Sequence, residues 1–147
     1  MKNAESYSFK DEYIKLLKLI PSFDHLTMVP IHTEITHGNT IQRPDRSIMV
    51  IDWDEVRTGP AVLDLGVGLI NHLVTDTHTI REAEARAYFQ AYFAIMSMSE
   101  EDKEYIFWAA IYWALLWIQW FKDEQIPRLN KVKWALENKN KITGLYK

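Results

Sequence analysis

The chain of 147 residues has room for one domain with a substantial core, and its 48% hydrophobic and 25% charged content is that of a globular protein. A net charge of −3 provides no bulk positive field, which argues against a nucleic-acid binder held by charge. With no cysteine there is no disulfide, no thiol nucleophile and no Cys-ligated zinc.

The opening Met-Lys-Asn-Ala-Glu-Ser-Tyr-Ser has no apolar stretch. No signal peptide is therefore expected, and a cytoplasmic location is the expectation. From 9 to 20, Phe9, Tyr13, Leu16, Leu17 and Ile20 recur at helical spacing among lysines and acids, which predicts an amphipathic helix stopped by Pro21. Residues 22–30 read as a connector that becomes extended before Ile31. Thr40–Gln42 and Ile48–Ile51 read as two short strands around the turn Arg43-Pro44-Asp45-Arg46-Ser47, the second of them a buried run.

Residues 55–60 read as a loop. Ala61–Val74 reads as a helix apolar on most sides, with Gly66 and Gly68 allowing close packing and Asp64 in its first turn. There a carboxylate accepts from free backbone N–H groups or braces a loop. Thr79-Ile80-Arg81-Glu82 has the pattern of a capping box and predicts a helix running to about Met96. Ser99-Glu100-Glu101-Asp102 opens another. That helix holds thirteen consecutive apolar residues, Ile106–Ile118. A membrane span needs ~20, so with acids before it and Lys122-Asp123-Glu124 behind it a core helix is the reading, and no membrane span is expected. A last amphipathic helix is predicted over 128–139.

The chemistry concentrates between residues 31 and 54, where His32, Glu34, His37, Asn39, Asp52 and Asp54 fall at loop-like positions. A hairpin after Asn39 brings Asp52 back beside Glu34 and Asn39. Two carboxylates and an amide oxygen are hard ligands that suit Mg²⁺, with one acid spare for proton handling. Two other readings fail. Glu34-x-x-His37 is half of a di-iron carboxylate site, but no second copy exists and Ile35-Thr36 before Gly38 is poor helix. His32-x-Glu34 is a fragment of a zinc deaminase site whose cysteine pair is missing.

The segment His32-Thr33-Glu34-Ile35-Thr36-His37-Gly38-Asn39, followed by Ile51-Asp52-Trp53, Gly59-Pro60 and Asp64-Leu65, resembles the aminoglycoside phosphotransferase and choline kinase superfamily of protein-kinase-like enzymes. That superfamily reads His-Gly-Asp-x-x-x-x-Asn, a hairpin, Ile-Asp-Trp or Ile-Asp-Phe, a Gly-Pro or Gly-Asp turn, and Asp-Leu. Order and spacing agree over residues 31–65. Two departures stand out: Glu34 occupies the position of the usual Asp, and Thr33 that of the usual Gly.

The resemblance implies an α+β, mostly α fold: the helical C-terminal lobe of a protein-kinase-like fold, over 1–147, with one small β-hairpin carrying the catalytic and metal-binding loops. It implies ATP-dependent transfer of a phosphoryl group to the hydroxyl of a small-molecule acceptor, with Mg²⁺ and ATP as cofactors. Glu34 takes the place of the catalytic acid/base, Asn39 and Asp52 those of the metal and ATP-phosphate ligands. His32 packs beneath the loop and Asp64 anchors it. For Asp54, a metal contact and a loop brace both stay open. Some of Trp113, Trp117 and Trp120 line an acceptor pocket or, the default, the core. Nothing before residue 31 reads as the glycine-rich loop and lysine of an ATP-binding N-terminal lobe. An N-lobe-bearing partner chain or self-association is therefore expected, and nucleic acid is not. The alternative is a non-catalytic kinase-like binding or structural module, such as a spore-coat-associated one, or a truncated gene product.

Overall fold

The computed structural model describes residues 2–147, with the side chains from residue 9 onward except that of residue 122. The chain is mostly helical and carries two two-stranded antiparallel sheets. Helix α1 spans Lys2–Leu17. It ends sooner than the periodicity predicts, because Leu19 and Ile20 donate to Leu16 and Leu17 in a closing turn and the residue before Pro21 is sterically barred from helix. Phe9, Tyr13 and buried Leu16 face the core. The Tyr13 hydroxyl donates to the carbonyl of Leu115 at 3.2 Å.

Strand β1, Met28–Ile31, pairs with β4, Arg57–Pro60, in the register Met28↔Pro60 and Ile31↔Arg57. The expected loop over 55–60 is corrected here. Arg-Thr-Gly-Pro has weak strand propensity, and its partner lies far away in sequence, so no local pattern announces the pairing. Strands β2, Thr40–Gln42, and β3, Ile48–Val50, form the expected hairpin. The expected burial of the second strand is overturned: Ile48 is 68% exposed. Met49 and Val50 are only half-buried, so this strand is not the core strand its apolar run suggests.

Helix α2, Val62–Gly68, passes into a π-helical turn over Leu69–Leu73. Helix α3 spans Glu82–Ile95 without the capping box expected at Thr79. The Thr79 hydroxyl instead lies 2.7 Å from that of Thr75, closing the turn that brings Val74 beside Ile80. Helix α4, Glu100–Ile118, does start on a capping box, with Asp102 N–H donating to Ser99 Oγ at 2.9 Å. The predicted last helix divides into α5, Gln125–Glu137, and α6, Lys139–Thr143. The break falls at Asn138, whose side-chain amide donates back to the Trp134 carbonyl at 2.8 Å. Beyond it Ile142, Leu145 and Tyr146 enter the core.

Helix α4 is the axis of the molecule. Ile106, Phe107, Ile111, Leu115 and Ile118 are essentially inaccessible, each contributing about 1.5–3 kcal/mol by burial. Helices α2 and α5 both pack against it. The α2–α4 crossing is close because Gly66 faces Ala109 and Ala110. A Cβ on Gly66 would sit 2.6 Å from the Ala109 carbonyl carbon, so only glycine permits this approach. Among the described residues no helix is long and apolar enough to cross a membrane.

Candidate active site

The site is assembled outward from α4. Asp102, buried in its first turn, accepts from the Thr27 N–H at 3.0 Å and the Thr27 hydroxyl at 2.7 Å. This fixes the chain as it enters β1. Burial raises the Asp102 carboxyl, but hydrogen bonds from Thr27 and Ser99 outweigh it and hold the group below the ordinary carboxylate value. At the other end of the α2–α4 contact, Trp113 Nε1 donates to the Leu63 carbonyl at 2.9 Å. Asp64 is the next residue. Its two oxygens accept separately from the loop after β1, Oδ2 from His32 N–H at 2.9 Å and Oδ1 from Thr33 N–H at 2.7 Å.

This grip bends the loop sharply. Thr33 has φ 70°, in the left-handed region that β-branched residues avoid. The glycine of the resembled motif would fit there without strain, so the Thr33 departure has a physical cost. His32 is buried and its tautomer is set by its partners. Nδ1 accepts from the Glu34 N–H at 3.3 Å, so Nε2 carries the proton and donates to the Ile51 carbonyl at 2.9 Å. On the far side of the loop, His72 Nε2 lies 3.1 Å from the Ile35 carbonyl. His37 has its exposed ring 4.8 Å from that of His72.

Asn39 links the two halves of the segment. Its Nδ2 donates to the Glu34 carbonyl at 3.0 Å, while its own carbonyl accepts from the Ile51 N–H at 3.0 Å. Ile51 is thus held at both backbone polar groups, and the chain turns left-handed immediately after it, Asp52 having φ 64°. Trp53 completes the turn, its Nε1 donating to the Val50 carbonyl at 2.9 Å and its ring packing edge-on to His32 at 4.8 Å. Glu34, Asn39 and Ile51, the residue before Asp52, are therefore tied together by one set of hydrogen bonds. Glu34 and Asp52 are exposed, and among the described residues neither carboxylate makes an ion pair. The amide oxygen of Asn39 is left over once Nδ2 is committed. Asp54 is exposed. No group of three His, Asp or Glu side chains among the described residues is placed to hold a metal by itself.

A cleft of about 760 Å³ opens at Glu34. One wall is Thr33, Glu34 and Thr36 with Glu55 and Arg57; the other is the end of α4 and the segment after it, Trp113, Leu116, Trp117, Trp120 and Phe121 with Arg128. Trp113 is 5% exposed and belongs mainly to the core, whereas Trp120 is 75% exposed. Arg57, Asn71, Phe121 and Arg128 are not legible as site residues in the sequence, since only the tertiary fold brings 113–128 against the loop. A smaller cavity of about 460 Å³ borders the cleft, sharing Asn71 and Arg128 and edged by the Lys131–Asp76 ion pair at 3.3 Å.

No curated protein and no solved structure matches the chain. A family model does match it, that of the phosphotransferase enzyme family, over residues 8–104. The matched span runs from α1 through the Asp64-braced loop and the hairpin to the capped start of α4, about two thirds of the sequence, and on it the chain belongs to the phosphotransferase enzyme family.

Proposed function

We propose that this chain carries the catalytic region of an ATP-dependent phosphotransferase that phosphorylates a hydroxyl of a small molecule, on the helical lobe of a protein-kinase-like fold. The observation that carries the reading is the wiring of Asn39. Its Nδ2 is spent on the Glu34 carbonyl and its backbone carbonyl on the N–H of Ile51, the residue before Asp52, which leaves its amide oxygen uncommitted, and the Asp52 carboxylate makes no ion pair among the described residues.

An amide oxygen and a carboxylate are the donor set expected of a Mg²⁺ site that completes its shell with water and phosphate oxygens. Two side chains suffice for such a site, because Mg²⁺ is commonly held by one or two carboxylates plus substrate phosphates. When bound, the ion would neutralise charge on the phosphates of ATP. Asp52 and Asn39 would hold it, with the left-handed backbone at Asp52 aiming that carboxylate.

The chain's own part in the reaction falls to Glu34. Its backbone is fixed on both sides, by His32 Nδ1 and by Asn39 Nδ2, so its side chain projects from a rigid loop into the cleft. There it orients the acceptor hydroxyl. As the acceptor oxygen bonds to the γ-phosphorus and the bridging bond to ADP breaks, the hydroxyl proton passes to the Glu34 carboxylate. His32 and Asp64 act through the loop and touch no substrate. Exposed Ile41, Ile48, Trp53 and Val56 on the hairpin side support a covering β-rich lobe or partner on that face.

The second reading, a non-catalytic kinase-like module, draws on Glu34 standing where the family has Asp and on the strain at Thr33. ADP release in the presence of candidate hydroxyl acceptors separates the two. Catalysis predicts that Glu34→Gln lowers turnover by about 10²-fold or more while Glu34→Asp retains it. Equal, acceptor-independent ADP release in all three proteins would contradict it.

A further inference from the structure

Two histidines lie ring against ring where the loop carrying Glu34 meets the end of α2, and phosphoryl transfer uses neither. His72 is half-buried on the π-helical turn Leu69–Leu73, and His37 is exposed on the 3₁₀ turn His37–Asn39. Their ring centres are 4.8 Å apart and the ring planes cross at 62°. His72 Nε2 lies 3.1 Å from the Ile35 carbonyl, which can only accept, so in the neutral ring Nε2 carries the proton and Nδ1 is a bare lone pair. Among the described residues no hydrogen bond reaches that Nδ1 or either ring nitrogen of His37.

A histidine whose N–H is fixed on a backbone carbonyl is arranged as metal-binding histidines are, because that outer bond selects the tautomer and orients the ring. The ring separation fits as well. With metal–nitrogen bonds of about 2.0–2.1 Å, two imidazoles on one tetrahedral ion have their centres about 5 Å apart. Imidazole nitrogen suits zinc, copper and nickel, whereas Mg²⁺ takes oxygen. The geometry points to a site for a zinc-class divalent ion at His37 and His72, apart from the oxygen donors of Asn39 and Asp52. His72 Nδ1 and one nitrogen of His37 hold the ion, and water completes its shell, since no third His, Asp or Glu among the described residues is placed to join them. The ion fastens the turn of His37 to the π-helical turn that already holds the Ile35 carbonyl.

Zn²⁺ is titrated, without nucleotide or Mg²⁺, into protein carrying ¹⁵N-labelled histidine at about pH 7.5, where protons compete little for ring nitrogens. The five histidine rings are followed separately. Those of His37 and His72 are expected to shift together, with half-saturation at or below about 100 µM, while those of His32 and His78 stay unmoved. His37→Gln and His72→Gln should each weaken binding by at least about 10-fold, and Asp52→Asn should leave it within about 2-fold. His37 is exposed, so its variant decides the matter if His72→Gln does not fold. A shift of neither ring, or of only one, up to about 1 mM zinc overturns the inference, as does unchanged affinity in His37→Gln. Zinc binding lost in Asp52→Asn would assign the ion to Asn39 and Asp52 and overturn it too. The phosphotransfer reading stands or falls separately, because no phosphoryl donor is present.

Discussion

At the scale of single residues, the loop is over-determined by backbone hydrogen bonds, and one side chain is strained for it. Asp64 draws the N–H groups of His32 and Thr33 toward itself, and Thr33 is left at φ 70°. A β-branched residue there costs about 1–2 kcal/mol. The expected order of variants is therefore inverted: Thr33→Gly should be more stable than Thr33→Ala by about 0.5–1 kcal/mol, since both lose the side chain and only glycine relieves the strain. Denaturant unfolding of the pair measures this, and an alanine variant as stable as the glycine one would mean the loop is not held left-handed. His32, Glu34, Asn39, Asp52 and Asp64 stand out in the sequence because motif chemistry is local. The strain does not, because φ at Thr33 depends on a carboxylate some thirty positions away.

At the scale of elements, Asp102 decides how the strand before the loop meets the central helix. It caps α4 through Ser99 and satisfies both donors of Thr27. Asp102→Asn is expected to cost about 2 kcal/mol near pH 7, from a weakened cap and from a Thr27 donor left without its carboxylate. The pH dependence has a fixed sign. With its folded pKa below the ordinary value, the carboxyl stabilises the fold above about pH 4, and that contribution is lost as pH falls through the folded pKa. The gap between wild type and Asp102→Asn should thus narrow on acidification in thermal melts; a constant gap from pH 7 to pH 3 would contradict this role. The Ser99 start is readable because a cap is written within four residues. The Thr79 pattern misleads because the same hydroxyl finds a nearer partner in Thr75. Strand β4 is invisible in the sequence because its identity comes from pairing with β1, not from Arg-Thr-Gly-Pro itself.

At the scale of the whole molecule, the helical core is complete while the hairpin side is bare. Ile48 and Trp53 are 68% and 54% exposed, with Ile41 and Val56 nearby in the chain. Large exposed apolar side chains grouped on one segment favour association. Light scattering at micromolar concentration should therefore report species heavier than the 17.3 kDa chain. A clean monomer would show that this surface is tolerated in water. The helix-rich architecture is legible from periodicity, and the long apolar run of α4 is core, as its length and flanking charges predict. The cleft is only partly legible, through its tryptophans, because its two walls come from residues near 34 and near 120 and meet only on folding.

The central claim is that Asn39 and Asp52 still form a site for nucleotide-bound magnesium. Calorimetric titration of Mg·ATP into the purified chain, with Asp52→Asn as the paired protein, tests it most directly. Saturable heat is expected with the wild type, lost or weakened by at least about 10-fold in the variant. Absence of binding in a folded wild-type sample, or equal binding by both proteins, would contradict it.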